Sequence, residues 1–346
     1  MIYLNIFFLS IFLILVLLNY FSNNSFITDT PKNEIRKIHN KNVIIIGGIT
    51  FVSLLLIYPN IEDKFLKNTL LMSYFFLIVG LLGDTKFLHS ILPRFTILLL
   101  GIIFFVLNND LIIQDFNHEI LNLLLNNYYF ISIIFSILGL MFLINGFNFV
   151  DGNNGLAIGL ASIICVNFLF HLENQNDLIL LLSSFLLVSV TLFLFNFFTG
   201  RILIGDGGSY FCGFFVGTMS IYLANENIII STKIACIIFY PFMEIFLTFW
   251  RRVLINKVNP LKPDFLHLHS LLYTFILIKY EEKNKVFSFN KINSLTSFII
   301  LASLIILTLL SNLIMPHIGY LNTFFMLCFL YCIVYIVLIR LVKINK

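Results

Sequence analysis

The chain alternates long apolar runs with short polar clusters. A hydrocarbon core of about 30 Å takes roughly 20 helical residues to cross, and the runs have that length. They fall near 2–20, 43–58, 66–83, 92–107, 129–145, 155–171, 178–197, 208–224, 229–249, 298–315 and 320–341. The pattern predicts about eleven transmembrane helices. A barrel is excluded because the runs are continuous, where barrel strands alternate. The run at 43–58 is short, and the one at 155–171 holds several small residues. The first run has no basic segment before it and no small-residue cleavage site, so it reads as an anchor rather than a signal peptide.

Composition removes the soluble alternative. Sixty percent of the residues are hydrophobic and 11% are charged, against about a quarter charged in a soluble domain. The expected fold is an all-α integral membrane protein, one domain over 1–346, with a long cytoplasmic connection at about 250–297. The net charge of +4 says less than its distribution. With the spans above, alternate connections carry eighteen of the 21 Lys and Arg residues, and the others hold only Lys64, Lys67 and Lys233. The positive-inside rule then puts the N-terminus outside and the C-terminus inside. The five cysteines, Cys165, Cys212, Cys236, Cys328 and Cys332, all lie in apolar runs and read as small hydrophobic residues.

The chemistry-bearing residues gather on the side assigned as cytoplasmic. Asp84 follows the third span; Asn145, Asn148 and Asp151 follow the fifth; Asn196 ends the seventh; Asp206 opens the eighth; His267 and His269 follow the ninth. The strongest cluster is Asn145-Gly-Phe-Asn148-Phe-Val-Asp151-Gly152-Asn-Asn154-Gly155. Spacing of three keeps Asn145, Asn148 and Asp151 on one part of a helix circumference. Two amides and an acid offer hydrogen bonds to a base or ribose and oxygen ligands for Mg²⁺. The alternative is a hydrated, capped helix end, but polar groups at membrane depth are usually functional.

Gly205-Asp206-Gly207-Gly208-Ser209 reads either as a helix N-cap or as a cation ligand beside a helix start that welcomes phosphate. Asp84, in Gly80-Leu-Leu-Gly83-Asp84, reads by itself as a turn aspartate. His267 and His269 are two apart, do not share a helix face and have no zinc-site spacing. Protonatable donors to a phosphate are the functional reading, and a solvated loop is the plain one. Arg251-Arg252 reads as an interfacial anchor.

Taken together these residues resemble the polyprenyl-phosphate N-acetylhexosamine-1-phosphate transferases of the glycosyltransferase family 4 type. The resemblance runs from about 29 to 273. It is carried by Asp29-x-Pro31, by Arg36-Lys37-x-His39 leading to Gly47-Gly48, and by the run from Asn145 to Leu156. It continues with Asn196 before Gly205-Asp206-x-Gly-Ser, and with Pro263-Asp264-x-x-His267-Leu-His269. Tyr240-Pro241-x-x-Glu244 and Ser270 in a third histidine's place resemble the O-antigen and capsule-initiating branch rather than the peptidoglycan branch. One departure stands out: the family has two adjacent acids after the third span, and here the first is Gly83.

The resemblance implies transfer of a sugar phosphate from a UDP-N-acetylaminosugar to undecaprenyl phosphate at the cytoplasmic face of a bacterial inner membrane. It implies Mg²⁺, with Mn²⁺ as a substitute, on Asp206 with Asn148. Asp84 would meet the lipid phosphate or metal; Asp151, Asn154 and Asn196 the uridine; His267 and His269 the donor diphosphate. Arg36, Lys37, His39 and Lys41 would add cationic contacts, and Asn145 belongs to the substrate-binding set. Partners are these two substrates and membrane lipid, with no nucleic acid; a homodimer is left open. Two rivals remain: a secondary transporter, whose polar sites sit near the midplane in two related halves, and an inactive relative that only binds lipid phosphate.

Overall fold

The computed structural model describes residues 1–21, 28–29, 43–88, 90–255, 266–282 and 288–344. In chain order the elements are α1 (Ile2–Phe21), β1 (Thr28–Asp29), β2 (Val43–Ile44), a 3₁₀ helix (Gly47–Asn60), α2 (Lys64–Asp84), α3 (Ile91–Asn109), α4 (Glu119–Asn127) and α5 (Tyr129–Val150). There follow α6 (Leu156–Leu169), α7 (Asn176–Thr199), α8 (Gly205–Asn225), α9 (Ser231–Ile237), α10 (Phe239–Trp250), α11 (Leu268–Glu282), α12 (Phe289–Ile318) and α13 (Tyr320–Ile344).

Among the described residues seven helices are long and apolar enough to cross a membrane: α1, α2, α3, α5, α7, α12 and α13. An eighth span arises if α9 and the helix after it, which meet at 73°, are one broken span. The expected total of about eleven is thus reached by length and composition for seven or eight. The outer faces are those of a protein in lipid: Leu100, Phe104, Phe130, Leu313 and Phe329 are each more than 60% exposed, a density of bare apolar surface that water does not tolerate.

The segment expected as a helix from residue 43 begins differently. Val43–Ile44 pairs antiparallel with Thr28–Asp29, and Ile44 also bridges Ile202 in parallel. Four backbone hydrogen bonds of 2.7–3.0 Å zip 44–48 to 201–204: Ile44 N to Arg201 O, Leu203 N to Ile44 O, Gly47 N to Leu203 O and Gly48 N to Ile204 O. The 14 residues that follow form a 3₁₀ helix, whose rise of about 2.0 Å per residue carries it roughly 28 Å. It runs from the start of α8 to the beginning of α2 at the other end of the bundle.

At the centre stands α8, with 17 of its 21 residues buried. Its glycines let neighbours approach backbone to backbone: a methyl group at Gly80 of α2 would overlap Gly207, and one at Gly213 would meet Ile144 Cα at 2.5 Å. A helix walled in on all sides needs less hydrophobicity than one facing lipid, which explains its small, mixed composition. The connection at about 250–297 is partly helical: it holds α11, and α12 begins at Phe289, nine residues before the apolar run at 298–315.

Candidate active site

Asp84, Asn148 and Asp151 are brought together around the first turn of α8, where Asp206 stands. The strand-like pairing of 44–48 with 201–204 fixes where that turn begins. Gly205 opens it with φ of +70°, a left-handed conformation that side chains resist. A methyl group there would also drive into Ile45 O. The first backbone amides of a helix have no partner within the helix. Here two carboxylates take them. Asp151 Oδ2 accepts from Gly205 N at 2.9 Å. Asp84 accepts from Asp206 N at 2.9 Å and Gly207 N at 3.0 Å, one on each oxygen. Asp84 is therefore not a turn residue: it ends α2, is 7% exposed, and caps a different helix. The first three amides of α8 are thus capped, as the N-cap reading has it, by carboxylates from other helices rather than from the motif itself.

Asp206 is the acid left over. Its carboxylate is 29% exposed. Oδ1 accepts from Asn148 Nδ2 at 2.6 Å, and Oδ2 pairs with Arg94 Nη1, from the first turn of α3. Asp151 lies just beyond α5; withdrawal from water pushes its carboxyl up to about 8, the Gly205 amide opposes this, and the nearby Asp206 charge adds to it. Of the face predicted from 145, 148 and 151, two members reach α8. Asn145 does not; it donates back to Met141 O at 2.8 Å within its own helix.

The histidines form the second wall. The segment enters α11 with Leu266 O accepting from Tyr335 Oη at 2.8 Å. His267 and His269 are 8% and 3% exposed, so the solvated-loop reading is excluded. Their rings stack at 5.5 Å, and His267 also lies 5.1 Å from the Phe149 ring. Beneath them is Glu244 of α10, 1% exposed, with Oε2 at 3.2 Å from His267 Nδ1. Glu244 Oε1 accepts from Tyr240 Oη at 3.1 Å and Leu268 N at 3.2 Å, and stands 4.0 Å from His269 Nδ1. His269 packs against Gly152: a methyl group there would lie 2.5 Å from Nε2. Burial holds the His269 pKa down at about 4, against partial relief from Glu244. It is a neutral imidazole near pH 7, with one ring N–H to donate. Arg252 Cζ sits 5.5 Å from the Phe149 ring, closer to this wall than an anchor role requires.

Asn154 and Asn196 are not brought to this surface. Both are buried, at 0% and 1% exposure. Asn154 N donates to Asn293 Oδ1 at 2.8 Å and its amide nitrogen to Ser294 Oγ at 3.1 Å, tying the turn before α6 to α12. Arg36, Lys37, His39 and Lys41, with Pro263 and Asp264, lie outside the described residues. Two residues that sequence reasoning gave no role belong here: Arg94 and Glu244. An apolar cavity of about 310 Å³ between α5, α8, α9 and α13, lined in part by Leu143, Gly217, Ile221 and Phe324, contains none of these groups.

Does the donor set suit a metal? Among the described residues no three His, Cys, Asp or Glu side chains are grouped to hold one. Mg²⁺ does not need such a cage; it takes one or two carboxylates and completes its shell with water and substrate phosphate. The half-exposed Asp206 beside the Asn148 amide fits that kind of open site.

The family model for glycosyl transferase family 4 matches residues 67–224, the stretch that carries Asp84, Arg94, Asn148, Asp151 and Asp206. That stretch of the chain is of the glycosyl transferase family 4 type. Similar proteins agree. A probable undecaprenyl-phosphate N-acetylglucosaminyl 1-phosphate transferase of Bacillus subtilis is 27% identical over 71% of this chain and 70% of its own. An undecaprenyl-phosphate alpha-N-acetylglucosaminyl 1-phosphate transferase of Thermotoga maritima is 25% identical over 75% of this chain and 77% of its own. A phospho-N-acetylmuramoyl-pentapeptide-transferase of Dictyoglomus thermophilum is 27% identical over 76% of this chain and 88% of its own. The part matched by the family 4 model ends before Glu244, His267 and His269, so that wall of the site rests on the geometry above.

Proposed function

We propose that this protein transfers a sugar-1-phosphate from a UDP-N-acetylaminosugar to undecaprenyl phosphate at the cytoplasmic end of the bundle. The products are UMP and a diphosphate-linked lipid sugar. One observation carries the reading: three carboxylates converge on one helix start, two are consumed by its amides, and Asp206 keeps a partly exposed carboxylate held by side chains alone. The family 4 relatives named above support the same class of reaction. The eleven-span, N-outside arrangement belongs to this proposal, supported by the crowding of Lys and Arg on the connections that share the site's end.

The nucleophile explains why Gly83 is tolerated. A phosphate monoester has a second pKa of about 6 and is mostly dianionic at neutral pH. It needs no strong base, only relief from repulsion by the diphosphate it attacks. Asp206 and Asn148 would hold Mg²⁺, or Mn²⁺ in its place, and a bound cation supplies that neutralisation. The chain's own residues do the rest. Asp84 and Asp151 pin the α8 start, so Asp206 is aimed by backbone rather than by a loop. Glu244 fixes the His267 ring, and the two stacked histidines offer hydrogen bonds to the donor diphosphate. Asn154 and Asn196, buried in the packing of α6, α7 and α12, support a scaffold role. One diphosphate bond breaks as another forms, so the reaction is close to isoenergetic and reversible. Ser270 in place of a third histidine favours an unelaborated amino sugar over a muramoyl pentapeptide.

The test uses purified protein with undecaprenyl phosphate, Mg²⁺ and a panel of radiolabelled UDP-N-acetylaminosugars. UMP release with label entering the organic phase is expected for at least one sugar. Release with none of them contradicts the reading, and accumulation of intact UDP-sugar inside vesicles would favour a transporter.

A further inference from the structure

Position 83 is where an acid is expected and glycine stands. The space its side chain would fill holds the Arg94 guanidinium. A methyl group at Gly83 would overlap Arg94 Nη1 and lie 3.1 Å from Cδ and 3.3 Å from Cζ. The same Nη1 pairs with Asp206 Oδ2. Among the described residues Arg94 Nε is buried without a hydrogen-bond partner, so the guanidinium makes this ion pair without being tied down there along its inner edge. Asn148 occupies the other Asp206 oxygen. Asp84 and Asp151 are engaged by backbone amides.

We propose that Arg94 is the resident counter-ion of Asp206: it takes the carboxylate oxygen that a divalent cation would take, Gly83 provides the room, and cation entry displaces it. The inference rests on reading Asp206 as the cation ligand. The physical case is one of exclusion. A guanidinium stays charged at any relevant pH, so it cannot vacate the oxygen by deprotonating. The pair is partly exposed, at 16% for Arg94 and 29% for Asp206, so it is weak enough for a divalent cation to displace. An acid at 83 would stand against the guanidinium and compete with Asp206 for it. With glycine there, Asp206 is the arginine's one acid partner among the described residues.

The experiment measures Mn²⁺ binding to the purified full-length protein without substrates, by electron paramagnetic resonance of the free ion. Arg94→Gln removes the competing charge. Gly83→Ala keeps the arginine but pushes its flexible tip off Asp206. Both are expected to bind Mn²⁺ roughly two- to fivefold more tightly than wild type, the size of a partly exposed ion pair. Structural damage would weaken binding instead, and melting temperatures identify any variant that fails to fold. Wild-type binding with no gain in either folded variant overturns the inference while leaving the metal assignment intact. No binding by the wild type overturns both.

Discussion

The two ends of the bundle use the same residue type for different purposes. At the end away from the site, four aspartates answer local needs. Asp63 accepts from Leu66 N at 2.8 Å and caps α2. Asp177, in the first turn of α7, accepts from the amides of Glu62 and Asp63 at 2.6 and 2.8 Å. Asp110 and Asp115 are exposed and serve Tyr129 and the 115–122 turn. None of these contacts is with a basic side chain. At the site end, three acids meet one helix start, and two of them saturate it. Capping accounts for Asp84 and Asp151 as it does for Asp177. It does not account for Asp206, which has an arginine and an amide on it. The contrast separates acids that hold the fold from the one available for chemistry.

The widest gap expected between the ends is in stability. Asp84 and Asp177 each take two backbone amides, but Asp84 is buried and Asp177 only half-buried. Asp84→Ala leaves buried donors without water and should cost about 3 kcal/mol, whereas Asp177→Ala should cost about 1 kcal/mol. Thermal or denaturant unfolding in detergent checks this, and equal costs would erase the distinction between the ends. Next is Glu244→Gln, which keeps the volume but loosens the His267 ring. Turnover should fall roughly tenfold, with the melting temperature nearly unchanged.

A third difference is in pH dependence. His269 titrates at about 4 in the fold against 6.5 when free. Between those values the unfolded chain binds a proton that the native one does not. Stability is therefore whole above about pH 6.5 and is lost as pH falls toward 4. His269→Asn should flatten that part of the curve, and a slope unchanged in the variant would show that other groups produce it.

How much of this was legible beforehand follows from what a sequence can encode locally. Hydropathy reports contact with lipid, so helices that face lipid, such as α1, α7 and α13, stood out. The Asn148, Asp151 and Asp206 motifs were readable because polar residues at the ends of apolar runs are conspicuous. Their partners were not. Asp206 lies 112 residues from Arg94 and 58 from Asn148. Nothing near Arg94 marks it apart from the other cations at the ends of apolar runs. Glu244 was visible inside its motif, yet only the fold shows it beneath His267. The pairing of 44–48 with 201–204 is equally non-local. The helix at 268–282 did leave a signal: Leu268, Leu271, Leu272, Phe275 and Ile276 recur at helical spacing, too briefly for a span.

The most direct test compares one surplus acid with one capping acid in the transfer assay. Asp206→Asn and Asp177→Asn are each given the UDP-sugar, undecaprenyl phosphate and Mg²⁺. UMP release should drop at least about a hundredfold in the first and stay within about twofold in the second, the scale on which loss of a charge-stabilising ligand separates from loss of a cap. If Asp206→Asn, folded and as stable as wild type, releases UMP at the wild-type rate, the carboxylate at the start of α8 is not where the reaction occurs.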